Sequence, residues 1–249
     1  MAQGAGPLTE DRFLGGRLTL AQPAKGYRAG LDAGLLAAAC DAKTGERVIE
    51  PGCGAGAALL AAAVRRPEAR FLGLERDPDA LALARRNIEA NGLAARVEAQ
   101  AGDVAEASNL GRGAFDAALC NPPFFDDPKA LRAPHPAKTA AWMAEDGLAA
   151  WIAFLIRSVR EGGTITLIHR ADRLADILGL MAPAAGAVQI RAVHPFADAP
   201  AKRVLVRAVK GGRAPLRLLP ALVLHARGGA KHTPEAEAIL RGAADLPWL

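Results

Sequence analysis

Val48-Ile49-Glu50-Pro51-Gly52-Cys53-Gly54-Ala55-Gly56 is a short apolar strand that ends in a carboxylate and opens into a glycine-rich turn. Ala57 to Val64 follows as a run of good helix formers. Glycines in such a turn reach backbone conformations closed to other residues and let a ligand approach the main chain. The helix behind them presents free N–H groups at its start. Strand, glycine turn and helix in this order open an alternating α/β fold. Taken alone, the turn has more than one reading. Gly52, Gly54 and Ala57 satisfy the dinucleotide pattern G-x-G-x-x-G/A; a different nucleoside cofactor, or a tight turn with no ligand, would use the same residues.

The next carboxylate narrows the choice to a ligand with a ribose. Phe71-Leu72-Gly73-Leu74-Glu75 is a second apolar strand ending in an acid, and a carboxylate there accepts both hydroxyl hydrogens of a diol. Asp77-Pro78-Asp79 starts a helix, with Asp77 as N-cap, Pro78 in the first turn and Asp79 against the positive helix end. Asn91-Gly92 stops it. Gly102-Asp103 follows a weak strand over 96–99; its carboxylate either accepts the amino group of a bound adenine or only closes a turn.

Phe115 to Cys120 reads as another buried strand, and Asn121-Pro122-Pro123-Phe124 ends it. Two prolines after a strand stop the ladder, because proline has no N–H and a fixed φ. An amide oxygen held at that corner beside proline carbonyls presents acceptors suited to an amino group, and Phe124 adds a ring on which a base can stack. In a doubly wound sheet, ligands bind beyond the carboxyl ends of strands where the strand order reverses. The strands ending at Glu50 and Cys120 should be neighbours there, with the glycine turn and Asn121 across one crevice.

The expected elements are strand 47–50, helix 56–65, strand 70–75, helix 78–90, strands 96–99 and 115–120, and helix 146–160 closed by Gly162-Gly163. Strand 164–168, a helix over 171–181, strands 188–193 and 203–209 and a short strand over 221–225 follow. Asp32 is expected to cap a helix running to Cys40. The fold class is α/β: a Rossmann-like, mostly parallel seven-stranded sheet with helices on both faces and a C-terminal antiparallel hairpin. Residues 1–31 are read as an N-terminal flap over the cofactor, and 32–249 as one domain with a basic C-terminal part.

At 249 residues the chain is long enough for a large single core. Its net charge is +5, and the excess is local: from Pro200 onward nine basic residues face three acidic ones. Such a cluster attracts phosphate backbones by releasing counterions, and Lys210-Gly211-Gly212-Arg213 reads as a hairpin tip. The start of the chain lacks the basic and apolar regions of a signal peptide. No apolar run reaches transmembrane length. Cys40, Cys53 and Cys120 form neither a metal motif nor a disulfide framework. A cytoplasmic protein without metal or membrane is expected, acting as a monomer. His135 reads as an exposed loop residue or a substrate contact, His169 as structural at a strand end, Trp142 and Phe125 as base-pocket, core or lid residues, and Cys53 as a small residue that fits its turn.

The order Glu50-x-Gly-x-Gly-x-Gly, Glu75, Gly102-Asp103 and Asn121-Pro-Pro-Phe resembles the Rossmann-like S-adenosylmethionine-dependent methyltransferases, in the subset that methylates planar nitrogen. Further residues resemble the bacterial adenine-N6 methyltransferases that act on the valine tRNA adenine next to the anticodon. These are Asp11 to Leu18, Gln22-Pro23 with Gly26 to Ala33, Ile168 to Leu174, and Lys202 to Val206. Glu50 stands where aspartate is usual, and Phe124 where many relatives have tyrosine. The resemblance implies Asn121, Pro122 and Phe124 as catalytic residues. It implies Tyr27, Arg28, Glu50, Gly52, Gly54, Gly56, Glu75, Asp103 and Asn121 around S-adenosylmethionine. Phe124, Phe125, Lys202, Arg203, Lys210 and Arg213 would meet the RNA, expected to be tRNA. A guanine-N2 rRNA methyltransferase, a glutamine-N5 protein methyltransferase and a non-catalytic RNA-binding protein are the competing readings. A nicotinamide dehydrogenase would need a proton relay that the sequence does not display.

Overall fold

The structure, a computed structural model, describes residues 7–24, 30–105, 111–124, 146–228 and 231–248. Two strands, β1 (Leu8–Phe13) and β2 (Leu18–Pro23), form an antiparallel hairpin ahead of α1 (Leu31–Ala38). The alternating part runs β3 (Arg47–Pro51), α2 (Ala57–Arg65), β4 (Arg70–Glu75), α3 (Pro78–Ala90), β5 (Val97–Ala101) and β6 (Phe115–Cys120). It continues through α4 (Asp146–Ser158), β7 (Val159–Arg170), α5 (Leu174–Met181), β8 (Ala185–His194) and β9 (Arg203–Lys210). Two short strands, β10 (Arg217–Leu218) and β11 (Leu222–Val223), and α6 (Pro234–Leu240) close the described chain.

The main sheet has the order β10-β8-β9-β7-β6-β3-β4-β5, with β11 also on β8. Neighbours from β5 to β7 pair in parallel, and β9 runs antiparallel between β7 and β8. The seven main strands match the expected set and β11 falls in the expected short strand over 221–225; β10 is additional and brings the sheet to nine. The pleat sends alternate residues to two cores. Val48, Ala117, Leu119, Ile168 and Leu205 face α1, α2 and α6, whereas Ile49, Ala118, Cys120, Leu167 and Val206 face α4 and α5. Helices on both faces therefore follow from strands that are apolar at successive positions.

Three local expectations are corrected. Asp32 is not the N-cap of α1: Gly30 holds that position and Asp32 lies in the first turn, where its carboxylate accepts from Arg203 Nε at 2.9 Å. Gly162-Gly163 does not end α4. The helix stops at Ser158, whose hydroxyl donates to the Phe154 carbonyl, and β7 begins at once, with both glycines inside it and a register shift against β6. Gly163 is there because a Cβ would lie 2.8 Å from the carbonyl oxygens of both Asp116 and Arg160. Residues 210–213 are not the tip of the hairpin. The β8–β9 connection is 195–202, at the other end of the strands.

The N-terminal hairpin is docked on α3 by two asparagines one turn apart. Asn87 Oδ1 accepts from Ala21 N–H at 2.8 Å and its Nδ2 donates to the Ala21 carbonyl at 3.0 Å; Asn91 makes the same pair with Thr19. The two side chains thus act as a strand edge for β2. Asn87 is 1% exposed and also donates to the Ala55 carbonyl in the glycine turn, at 2.9 Å.

Candidate active site

β3 lies between β4 and β6, so the chain reverses its direction of growth across the β3–β6 pair. Val48 pairs with Ala117 and Ile49 with Ala118, which brings the glycine turn after β3 and Asn121 after β6 to one end of adjacent strands. This is the switch point at which open α/β sheets bind ligands.

Gly52, Gly54 and Gly56 all have left-handed backbone, with φ of 64°, 56° and 86°. Gly54 N–H donates to Glu75 Oε2 at 2.8 Å and Asp77 N–H to Glu75 Oε1 at 2.9 Å, so Glu75 ties the glycine turn to the start of α3. Each oxygen keeps a second lone pair for a hydroxyl. Among the described residues a Cβ on Gly54 would meet nothing within 4 Å, so they leave the turn an open side there. A Cβ on Gly52 would lie 2.4 Å from the end of the Trp151 ring. Cys53 fills the slot left by Gly73, where a Cβ would lie 2.6 Å from its sulfur. Burial pushes the thiols of Cys53 and Cys120 well up and that of Cys40 to about 12, so none is a nucleophile.

Glu50 is 3% exposed, and its Oε2 has no hydrogen-bond partner among the described residues. Burial drives its carboxyl well above the ordinary range. Glu75 adds to this, while a hydrogen bond from the Leu59 backbone at the start of α2 opposes it. A buried acceptor left open beneath a glycine turn suits a ligand that brings a donor. Asp103 is placed beside the crevice but is already engaged: Oδ1 accepts from Ala105 N–H and Oδ2 from Arg76, at 2.9 and 3.1 Å.

Past β6, Pro122 is buried and Phe124 half-buried. The Arg203 guanidinium lies over the Phe124 ring, 4.7 Å from its centre, and His169 meets the ring edge-on at 5.2 Å. His169 is 2% exposed with neither ring nitrogen hydrogen-bonded among the described residues. Burial, and then Arg173, Arg170 and Arg203, lower its pKa to about 4, so the ring is neutral.

The structure brings Glu50, the three glycines, Glu75, Asp103, Asn121, Pro122, Phe124, Lys202 and Arg203 to the same end of the sheet. It places Lys210 and Arg213 at the opposite end. Lys210 Nζ donates to the carbonyl of Val159, the first residue of β7, about 23 Å along β9 from Arg203. Tyr27, Arg28, Phe125, His135 and Trp142 lie outside the described residues. Asn87, Trp151 and His169 belong to the site's support and were not singled out for it by sequence. The only trace of Asn87 is its spacing of four from Asn91, and Trp151 reads as one apolar position among several on its helix.

A switch-point crevice with a glycine turn, an acid near the carboxyl end of each of β3 and β4 and an Asn-Pro-Pro-Phe corner defines an S-adenosylmethionine-dependent methyltransferase. The methyltransferase small domain model matches residues 27–137. A tRNA1(Val) (adenine(37)-N6)-methyltransferase from Porphyromonas gingivalis is 33% identical over 175 residues, 67% of this chain and 68% of that protein. A release factor glutamine methyltransferase from Chlorobaculum tepidum is 27% identical over 166 residues, 63% of this chain and 56% of that protein. The crystal structure of a predicted O-methyltransferase, protein Atu636, from Agrobacterium tumefaciens superposes with a TM-score of 0.73 at 28% identity. That superposition covers 86% of this chain and 98% of the other. The chain belongs to the methyltransferase small-domain family.

Among the described residues no helix is long and apolar enough to cross a membrane, and no group of three metal-ligating side chains is assembled.

Proposed function

We propose that this enzyme methylates the exocyclic N6 amine of an adenine in tRNA, at position 37. The observation that carries this reading is the Asn121-Pro122-Pro123-Phe124 corner beside the glycine turn. The similarity to the Porphyromonas gingivalis enzyme supports the choice of acceptor.

S-adenosylmethionine supplies an electrophilic methyl on a sulfonium. Glu50, the glycine turn, Glu75 and Asp103 are the residues that would hold it, with Tyr27 and Arg28 from the N-terminal segment. Glu50 offers its open oxygen to an N–H donor, Glu75 its remaining lone pairs to a ribose diol, and Asp103 an acceptor near an adenine amine. The docked hairpin ahead of α1 would carry residues 1–31 over this crevice, because Asn87 links it to the turn at Ala55.

The acceptor amine is a weak nucleophile, since its lone pair is delocalised into the ring. With Asn121 Oδ1 and the Pro122 carbonyl accepting its two hydrogens, the nitrogen is held with its lone pair towards the methyl donor. Those bonds strengthen as the nitrogen becomes tetrahedral and positive, so they favour the transition state over the ground state. Phe124 orients the base, which must leave its stack to reach the corner. Positioning supplies the rate: the nitrogen–methyl bond forms as the methyl–sulfur bond breaks, and the positive nitrogen then gives one of its two protons to water, so no base titrating near neutrality is needed.

The second reading, methylation of a protein glutamine, rests on the similarity to release factor glutamine methyltransferases and on the fact that a side-chain amide also presents an NH2. Incubation with methyl-labelled S-adenosylmethionine and separate pools of unmodified tRNA, rRNA and total protein separates the two. Label recovered as N6-methyladenosine from tRNA is expected. Label in protein, or as N2-methylguanosine in rRNA, would overturn the acceptor.

A further inference from the structure

The fold places basic residues of the C-terminal part at both ends of the sheet, in unlike surroundings. Towards the far end of the strands, Arg207 is paired with Asp41 at 2.6 Å and Lys210 with Glu161 at 3.5 Å. These cations are committed within the protein. At the end that carries Asn121, the β8–β9 connection and the segment after β11 meet instead and build an aromatic and cationic platform. Phe196 in the connection packs its ring against His225 at 5.5 Å, and His225 stacks on His232 at 5.1 Å with 25° between the planes. The Arg227 guanidinium covers Phe196 at 4.8 Å. Lys202 ends the same connection as Phe196, Lys231 has its carbonyl on His225 Nδ1, and both lysines are exposed.

The platform is fixed by backbone bonds, not by chance proximity. Leu224 N–H donates to the His194 carbonyl at 2.8 Å and His225 N–H to that of Pro195 at 2.9 Å, continuing the parallel pairing of β11 with β8. Thr233, the N-cap of α6, bonds back to Val223 and Leu224 and so fixes the chain beside His232. Lys202 is held at both sides, its N–H on Val193 and its carbonyl accepting from Ala171. Two carboxylates face the group: Asp198 pairs with Arg227 at 3.0 Å, both about two-thirds exposed, and Glu237, paired with Arg241, lies near enough to His232 and Lys231 for their charges to help lower its pKa. An exposed pair of this kind is worth little and leaves Arg227 able to exchange partners.

We propose that the Phe196–His225–His232–Arg227 platform, with Lys202 and Lys231, is a docking surface for the RNA strand flanking the target nucleotide. This rests on the RNA reading of the site and extends it. The two places share one end of the sheet and are three strand spacings apart, about 14 Å from β6 to β8. That is about four nucleotides of a stacked strand. Half-buried rings beside exposed cations suit single-stranded or loop RNA, whose bases stack on the rings while its phosphates meet the cations.

The test is tRNA binding as a function of salt, with the full-length protein and the Lys202→Ala, Arg227→Ala and Lys231→Ala variants. Arg213→Ala, exposed at the opposite end, is the control. Removing one phosphate contact should flatten the log affinity against log salt line by about 0.7–0.9, and the control should keep the wild-type slope. Phe196→Ala should weaken binding at least about fivefold, and Phe196→Tyr should restore it. Unchanged cofactor affinity shows that each variant is folded. Wild-type slopes in all three platform variants, or a flattened slope in the control, would overturn the proposal while RNA remained the substrate. A wild-type protein that binds no RNA would overturn the reading beneath it as well.

Discussion

Gly52 and Gly54 have nearly the same left-handed backbone, φ 64° and 56°, so alanine strains the chain equally at both. That cost is about 1–2 kcal/mol. It corresponds to a fall in melting temperature of roughly 2–8 °C for a chain of this size. The two positions differ in what the new methyl meets. At Gly52 it would lie 2.4 Å from the Trp151 ring, which must pivot by about 1 Å to regain ordinary contact. At Gly54 it would meet nothing within 4 Å among the described residues. If the open side of Gly54 is where the cofactor lies, Gly54→Ala should cost at least about tenfold in S-adenosylmethionine affinity, ~1.4 kcal/mol. Its melting temperature should fall only by the backbone cost and its tryptophan fluorescence should not change. Gly52→Ala should shift that fluorescence. Calorimetric titration of the cofactor and thermal melts of both variants make the comparison. Wild-type cofactor affinity in Gly54→Ala would refute the placement of the ligand against this turn.

Three further outcomes follow from buried polar groups. Asn87→Ala removes three hydrogen bonds, at about 1 kcal/mol each, so thermal unfolding should show a loss of about 3 kcal/mol; a loss below about 1 kcal/mol would mean that the hairpin is not held this way. Burial raises the Glu50 pKa above 4.5, so the folded chain keeps a proton that the unfolded chain releases. The stability from this group is full below pH 4.5 and lost as pH rises through the folded value. Glu50→Gln should therefore gain stability at neutral pH without cofactor and lose cofactor affinity; a variant less stable than wild type at neutral pH would contradict this. His169 behaves oppositely: its pKa falls from 6.5 to about 4, so the unfolded chain takes up a proton that the folded chain refuses. Stability is lost as pH drops from 6.5 towards 4, and His169→Phe should flatten that limb of the unfolding curve; an unchanged limb would assign the loss to other groups.

The parallel core was legible in the sequence because its signals are local. β3, β4 and β6 are short apolar runs closed by an acid or an Asn-Pro corner, the weaker β5 is closed by Gly102, and Asp77-Pro78 starts its helix as a cap should. The switch point followed from topology alone. What was not legible depends on contacts distant in sequence. Asp32 reads as a cap until Arg203, on β9, is seen to take its carboxylate. Gly162-Gly163 reads as a helix stop, but the glycines answer to the close approach of Asp116 and Arg160. Lys210 and Arg213 read as reaching for substrate because charge along a chain says nothing about which end of a strand it occupies. Asn87 was silent because an asparagine that substitutes for a strand edge has no pattern of its own.

Methyl transfer turns on the Asn121 corner. Cofactor affinity and single-turnover methyl transfer should be measured side by side for wild type and Asn121→Ala, on whichever acceptor the labelled pools identify. Near-wild-type cofactor affinity is expected, with a rate lower by about 100- to 1,000-fold, the usual cost of removing one preorganised transition-state hydrogen bond. A rate equal to wild type would place the chemistry elsewhere, whatever the acceptor proves to be.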